Sequence, residues 1–253
     1  MKSIFCGKMG FLFFLGLLAG VIDSIAGGGG LITLPALTLM LGPGPNAIGT
    51  NKLVGTIAAG VALWVYRRAG HFDFKKSLFF ALFVGMGSFI GSRTAILLPL
   101  WIFRWFLLIS CPLVLWVVWR KDLWLVRQRP AEYLGHSRFK IAFAGLACGF
   151  YDGVWGPGGG TFMFLALVFV ADLPLITGLA AAKFANTLSA ASAMLGYGLG
   201  GFVHVSAAIP MVLGVSLGAF LGAKLAVRRA SVLVRPVLVV VVMLLLFRVF
   251  QAN

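Results

Sequence analysis

The sequence predicts an all-α, polytopic membrane protein built as two homologous halves, and three observations support this fold class. Hydrophobic residues make up 61% of the 253 residues and the mean hydropathy is +1.04, which is more apolar surface than a water-soluble protein of this length can bury. Long apolar runs recur along the chain, most of them near the ~20 residues that cross a bilayer as a helix. Segments of the first half return in the second half, as in many duplicated membrane proteins.

The apolar runs predict about eight hydrophobic helical segments within one transmembrane domain over residues 1–253. Repeat one covers about 9–119, a polar loop covers about 120–138, and repeat two covers about 139–250. The first run of each half contains clustered glycines, and as one helix the first run would reach roughly 50 Å, longer than a bilayer is thick. We therefore expect a glycine-broken helix at the start of each half, which is either one unwound, tilted crossing, giving four spans per half, or a re-entrant hairpin, giving three. The runs lie at 9–41, 48–66, 77–98, 101–119, 139–171, 175–197, 203–226 and 232–250.

Lysine and arginine residues cluster in two polar stretches, 67–76 and 120–140, which the positive-inside rule places in the cytoplasm. The same rule accounts for the net charge of +15. The expected partner from this charge distribution is therefore the lipid bilayer and not nucleic acid, and a homo-oligomer is left open; the small anionic substrate is predicted from the glycine-rich stretches below. Parallel halves with the N-terminus inside and inverted halves with it outside fit the loop charges equally well, and the overlong first segment favours the inverted repeat. We expect location in a bacterial-type inner membrane with the 120–138 loop cytoplasmic.

Two aspartates, Asp23 and Asp152, lie within apolar sequence at equivalent positions of the two halves. Ionisable groups at membrane depth are costly and usually face a polar cavity or a partner. Each carboxylate could cap the nearby helix break by accepting backbone amide hydrogen bonds. Each could also couple transport to protons or gate it, and the sequence leaves both roles open.

Glycine-rich stretches follow both aspartates directly. Because glycine lets a helix unwind, and because unpaired amides are not tolerated in lipid, each break must face protein or water. The restarting helices would then aim their amides and positive ends at the interior, which favours an anion. Close packing of helices through small residues is the alternative interpretation. The candidate anion-binding residues here are Gly27, Gly28, Gly29, Gly30, Gly156, Gly158, Gly159, Gly160 and Thr161.

Lys52 and Lys183 also occupy equivalent positions of the two halves, with Asn51 and Asn186 close by. A lysine near a helix end commonly extends its ammonium to the membrane interface. The apolar neighbours and the equivalence across the repeat favour a position in the substrate site as strongly, so both interpretations stand and all four residues are candidate substrate contacts.

Neither a cofactor nor enzymatic activity is predicted. The three cysteines, Cys6, Cys111 and Cys148, lack the spacing of metal ligands. The G-x-S-x-G pattern at 214–218 resembles a nucleophile elbow, but it lies in a long apolar run and no histidine follows Ser216. Neither glycine run continues into the Gly-Lys-Ser/Thr of a phosphate-binding loop.

Paired motifs in the two halves resemble the TauE/SafE family of membrane transporters, whose members include sulfite and sulfoacetate exporters. The resemblance rests on residues 19–37 and 49–53 in the first half and on 149–153, 156–158 and 182–186 in the second, and it extends over essentially the whole chain. It implies an inner-membrane permease that exports a small organosulfur compound or sulfur oxyanion. The second-half motifs are most similar to a branch described only as membrane transporters, which leaves the substrate open.

These observations give one main functional hypothesis. The chain is expected to be a secondary transporter that exports a small anion such as sulfite or an organosulfonate, held between the two broken helices near the middle of the membrane. Lys52 and Lys183 would supply positive charge, and Asp23 and Asp152 would organise the site or couple it to protons. A passive anion channel is the alternative, and an intramembrane hydrolase acting through Ser216 is a remote one.

Overall fold

A computed structural model describes residues 2–99 and 138–251, and the regular structure in these residues is helical throughout. The predicted segment 101–119 and all but the last residue of the predicted loop 120–138 lie outside the described residues. The helices are α1 (Lys2–Ala26), α2 (Gly30–Leu41), α3 (Pro45–Arg68), α4 (Phe74–Ala95), α5 (Arg138–Val154), α6 (Gly159–Phe169), α7 (Leu175–Gly198) and α8 (Val205–Gln251).

Four stretches within the described helices are long and apolar enough to cross a membrane, which makes this a multi-pass, helical membrane protein. They are Met9–Ala26, Pro45–Arg68, Phe74–Ala95 and Val205–Arg229, and shorter apolar stretches cover Gly30–Leu41, Gly159–Phe169 and Val232–Val241. Helix α8 departs from helical geometry at Arg229, where φ is −143° and ψ is 37°. This kink lies between the predicted segments 203–226 and 232–250. The predicted count of eight segments stays a prediction.

Both glycine-rich stretches interrupt a helix. In the first half α1 ends at Ala26 and α2 begins at Gly30, and in the second α5 ends at Val154 and α6 begins at Gly159. The backbone φ angle is positive at Gly27 (76°), a conformation that costs L side chains far more than glycine. After this turn the chain folds back, so that Gly29 lies against Asp23 and Ala19 of α1. Gly159 lies against Asp152 of α5 in the same way, so each broken helix is a hairpin with its tip at the glycines.

Helices α1 and α8 contact each other through glycines that let the two backbones approach closely. A Cβ added at Gly16 would meet the backbone of Met211, and one at Gly20 would meet that of Val215, while Gly218 lies against Leu17. Small residues at such spacing allow this close approach in membranes. Because the residue numbers rise together along both helices, α1 and α8 run parallel.

Helices α4 and α5 make the equivalent contact. Gly149 packs against the backbone of Val84 and Gly153 against that of Ser88, again with rising numbers on both sides, so these helices are parallel as well. In the centre α3 and α7 cross in antiparallel directions. There the Cβ positions of Gly55 and Gly60 face Ala190 and Thr187 respectively. The first helix of each half thus packs against a helix of the other half.

Contacts at the two ends of the bundle show which connections lie together. At one end the His204 ring contacts Asn46 Oδ1 at 3.1 Å, and the His204 amide donates to Thr50 Oγ1 at 3.0 Å. This joins the starts of α3 and α8. At the opposite end Thr177, near the start of α7, lines a cavity with the connection 70–75 between α3 and α4. The connections 42–44 and 199–204 therefore share one end, and 69–73 and 170–174 share the other.

Candidate functional site

The tips of the two hairpins meet in the middle of the bundle. Thr161 Oγ1 donates to the carbonyl oxygen of Ala26 at 2.9 Å and also to that of Gly27. A Cβ at Gly27 would run into the backbone of Gly160 and Thr161. Glycine is required at position 27 both for its φ angle and for this close approach. The two helix breaks, one from each half of the sequence, therefore form one site.

Two buried ion pairs cross between the halves at this site. Lys52 Nζ lies 2.9 Å from Asp152 Oδ2, and Lys183 Nζ lies 2.8 Å from Asp23 Oδ2. Only 3% of Lys52 and 2% of Lys183 is exposed. The lysines therefore lie in the interior and do not extend to the membrane interface. Each lysine of one half neutralises the aspartate of the other.

The same four residues also hold the helix ends at the breaks. Asp23 Oδ1 accepts a hydrogen bond from the Gly29 amide at 3.3 Å, which ties the beginning of α2 to the end of α1. Lys183 Nζ donates to the main-chain oxygen of Asp23, and Lys52 Nζ donates to that of Asp152. A cation is favourable there because the carbonyl end of a helix carries partial negative charge. Capping and charge pairing therefore coexist in this site.

Two tyrosines support the breaks and were missed in the sequence. Tyr66 Oη donates to the Ser24 carbonyl at 2.8 Å, and Tyr197 Oη donates to the Gly153 carbonyl at 3.0 Å. These carbonyls lie in the last turns of α1 and α5, where no following helical amide can satisfy them. The two tyrosines are separated in sequence by the same interval as Lys52 and Lys183. That shared interval was the signal which could have identified them.

A cavity of about 40 Å³ lies between the tips. A single water needs roughly 10–15 Å³ of such volume, so the cavity has room for a few waters or for a ligand of similar size. Gly55 and Ala190, which the sequence did not single out, belong to its wall. Its lining comprises Asp23, Gly27, Gly28, Gly29, Gly30, Asn51, Lys52, Gly55, Asp152, Gly156, Gly158, Gly160, Asn186 and Ala190.

Three candidate residues do not line this cavity. Gly159 packs against the Asp152 side chain, and Thr161 directs its hydroxyl to the opposite tip. The Lys183 ammonium binds the Asp23 carboxylate, and it is Asp23 that lines the cavity. Their contacts give them structural places beside the cavity.

Side-chain amides and helix beginnings supply the donors around the cavity. Asn51 Oδ1 accepts the Thr33 hydroxyl at 2.5 Å. The other amide atom, Asn51 Nδ2, is directed towards Gly30 and would lie 3.6 Å from a Cβ added there. In the same way, Asn186 Nδ2 would lie 3.2 Å from a Cβ added at Gly160. Since the two lysines and two aspartates cancel in charge, these uncharged donors and the positive helix ends are what remains to attract an anion.

The two ion pairs differ in their support. Ser189 Oγ donates to Asp152 Oδ2 at 2.7 Å, whereas the equivalent position in the first half is Ala58. The side chain of Asp152 is 5% exposed and that of Asp23 is 11% exposed. Asp23 therefore lacks the hydroxyl donor that Asp152 has, and more of its side chain is exposed.

Two basic residues, Arg93 and Lys224, and the serine of the G-x-S-x-G pattern make their contacts away from this site. Arg93 donates to the Gly196 carbonyl at 3.2 Å, and the Lys224 ammonium lies 4.1 Å from the centre of the Phe220 ring. Ser216 Oγ donates to Val212 O one turn earlier in α8, so the G-x-S-x-G pattern lies on a helix and not at a strand-to-helix turn. Among the described residues, histidine, cysteine and acidic side chains form no group of three that could hold a metal.

Comparison with known proteins places the whole chain beside membrane transporters. A family model described as sulfite exporter TauE/SafE matches residues 12–249. The probable membrane transporter protein ORF9 of a Sinorhizobium species is 35% identical over 256 residues, covering 98% of this chain and 94% of the relative. The probable membrane transporter protein YfcA of Escherichia coli strain K12 is 35% identical over 240 residues, with 92% and 86% covered. A probable membrane transporter protein of Haemophilus influenzae is 32% identical over 231 residues, with 90% and 89% covered. No solved structure matches the chain.

Proposed function

Because this chain belongs to the sulfite exporter TauE/SafE family of membrane transporters, we propose that it is a secondary transporter that exports a small anion across the inner membrane. The observation that supports this most is the cavity between the two hairpin tips, with helix beginnings and two asparagine side chains at its wall. Sulfite or a small organosulfonate suits such donors, because its oxygens accept several hydrogen bonds and carry negative charge.

Proton coupling follows from the charge balance of the site. With both ion pairs formed, the four buried charges cancel, and a bare anion would enter a site without net positive charge. A proton on Asp23, the more exposed of the two aspartates, removes one negative charge and frees Lys183 from its partner. The Lys183 ammonium then attracts the anion. Without either the Asp23 carboxylate or an anion beside it, this buried cation would be costly. A proton and an anion would therefore bind together, with Asp23 as the proton acceptor. Because such symport is electroneutral, export would be driven by an outward gradient of the anion.

We also propose that the two halves are inverted with respect to the membrane. Helices α1, α3 and α8 run in one direction and α4, α5 and α7 in the other, so the equivalent helices α1 and α5 point oppositely. Basic residues gather at the bundle end that carries the 69–73 connection, which the positive-inside rule assigns to the cytoplasm. These residues are Arg67, Arg68, Lys75, Lys76, Arg138, Lys140, Lys224, Arg228 and Arg229.

Cysteine accessibility tests this orientation. In a chain whose native cysteines are replaced by serine, a membrane-impermeant maleimide added to intact cells is expected to label Ser206→Cys and to leave Arg228→Cys unlabelled until the cells are opened. Both positions are exposed on α8. Lys75→Cys, which is cytoplasmic for inverted and parallel halves alike, serves as the internal reference. Parallel halves with the N-terminus inside require the opposite pattern at Ser206 and Arg228.

A flux assay with purified protein in liposomes tests the transport proposal. Methanesulfonate stays ionised near neutral pH and carries no proton across the membrane itself. Any proton that moves with it must therefore be carried by the protein. With one proton per anion, a pH difference of one unit is expected to support an accumulation of about tenfold, since one pH unit corresponds to a tenfold ratio. We expect Asp23→Asn, which cannot gain or lose a proton, to abolish this accumulation while the protein still inserts and purifies as a single species.

Several results would contradict the proposal. Flux that does not saturate and ignores the pH gradient would identify a passive channel. Transport of cations but of neither sulfite nor sulfonates would remove the anion assignment. Wild-type accumulation by Asp23→Asn would remove this aspartate from coupling, and the same test on Asp152→Asn would show whether the second half takes that role.

A further inference from the structure

A groove of about 380 Å³ opens between the end of α3 and the part of α8 that precedes its kink at Arg229, away from the hairpin tips. Its walls are aromatic and aliphatic, and basic side chains stand over them. The Arg68 guanidinium lies 4.2 Å from the centre of the Trp64 ring, the Lys224 ammonium lies 4.1 Å from that of Phe220, and the two rings are 6.2 Å apart. The lining comprises Trp64, Val65, Arg68, Ala69, Phe220, Lys224, Val227 and Arg228.

The groove lies where a membrane surface should be. Both apolar spans that form it end in arginines, at Arg68 and at Arg229. Trp64 is 45% exposed on the outside of the bundle. Tryptophan is enriched at the boundary between lipid headgroups and hydrocarbon, and basic residues just beyond a span attract the anionic lipids of the cytoplasmic leaflet.

The duplicated half provides an internal comparison. At the interval that relates Lys52 to Lys183, Trp64 and Arg68 on α3 correspond to Leu195 and Leu199, which are 61% and 74% exposed. On α8, Lys224 corresponds to Arg93, whose guanidinium instead donates to the Gly196 carbonyl. Arg228 corresponds to Leu97, which is 82% exposed. At the opposite end of the bundle the same place in the fold thus carries exposed leucines instead of Arg68 and Arg228, so packing of the helices does not require these two arginines.

We propose that this groove binds the headgroup of an anionic phospholipid from the cytoplasmic leaflet. The phosphate would lie among Arg68, Lys224 and Arg228, and an acyl chain would follow the Trp64 and Phe220 rings towards the hydrocarbon. Three cations around one apolar groove fit a lipid with a net negative headgroup better than a zwitterionic one. The contacts of Arg68 and Lys224 with ring faces keep these two cations directed over the groove.

Native mass spectrometry of the delipidated, full-length protein tests this, with phosphatidylglycerol and phosphatidylethanolamine added separately. Wild type is expected to prefer phosphatidylglycerol. Removing the three charges in R68Q/K224Q/R228Q should weaken phosphatidylglycerol binding about fivefold for each charge and about a hundredfold together. The matched control R67Q/K75Q/K140Q removes three exposed cations from the same face outside the groove and should keep the preference.

An equal loss of phosphatidylglycerol binding in R67Q/K75Q/K140Q would overturn the proposal. It would show that this end of the bundle attracts lipid only through its overall charge. Unchanged binding by R68Q/K224Q/R228Q would overturn the proposal as well. Glycerol 3-phosphate that displaces the lipid at equal concentration would identify a site for free phosphate instead. If the triple variant does not give a single species on size exclusion, the single variant R228Q decides, with a loss of about fivefold supporting the groove and no loss refuting it.

Discussion

Replacing Lys52 by methionine is expected to destabilise the folded protein by about 3–5 kcal/mol, the cost of leaving one member of a buried ion pair without its partner. Asp152 would keep Ser189 as a donor but would lose the ammonium 2.9 Å away. The double variant Lys52→Met/Asp152→Asn removes both charges and should recover much of this loss. The measurement is the free energy of unfolding in mild detergent for the wild type, both single variants and the double variant.

An exposed ion pair supplies the matched control. Lys76 Nζ lies 3.6 Å from Asp73 Oδ2 at the surface, with side chains 44% and 42% exposed. Lys76→Met should therefore cost under about 1 kcal/mol. Equal costs for Lys52→Met and Lys76→Met, or a double variant less stable than either single one, would show that the buried pair does not hold the site as its geometry indicates.

Gly149→Ala is expected to have the second large effect. Its new methyl group would overlap the backbone of Val84, and backbone cannot rotate aside as a side chain can. Helices α4 and α5 would have to separate, at a cost typical of overpacking, about 1–3 kcal/mol or more. Gly10→Ala on α1 is the control, because nothing lies within 4 Å of the added Cβ and alanine favours a helix by up to about 1 kcal/mol.

Thermal unfolding of both glycine variants distinguishes the outcomes. A lower melting temperature for Gly149→Ala together with an unchanged or higher one for Gly10→Ala is the expected pattern. Comparable melting temperatures for the two variants would mean that α4 and α5 do not depend on this contact.

The sequence alone was sufficient to predict the helix breaks. Consecutive glycines beside an intramembrane aspartate have few other uses in lipid, and α1 and α5 end where these glycines begin. The equivalence of Asp23 with Asp152 and of Lys52 with Lys183 was also visible, because a duplication leaves a constant spacing. The glycines of α1 and α8 lie where these two helices pack closely, since Gly16 and Gly20 meet the backbone of α8 and Gly218 meets that of α1.

The pairing of these residues could not be predicted in the same way. A constant spacing shows which positions correspond but not which ones touch, so it could not reveal that Lys183 binds Asp23 of the other half. The lysines were expected to supply positive charge, whereas their aspartate partners cancel it. The asparagines also break the symmetry, since Asn51 corresponds to Ala182 and Asn186 to Gly55. Which residues pair, and which asparagines reach the cavity, depends on how the helices cross in the folded protein.

The reciprocal contacts have an evolutionary consequence. In both buried ion pairs the lysine of one half binds the aspartate of the other, and α1 and α5 each pack along a helix of the other half. With the two halves inverted as we propose, a single half would satisfy all of these contacts only by meeting a second copy that lay in the membrane in the opposite orientation. An ancestor of this kind would have inserted in both orientations and assembled as an antiparallel homodimer. Under this proposal, gene fusion would have fixed one copy in each orientation, after which Ser189 and the basic groove could arise in one half alone.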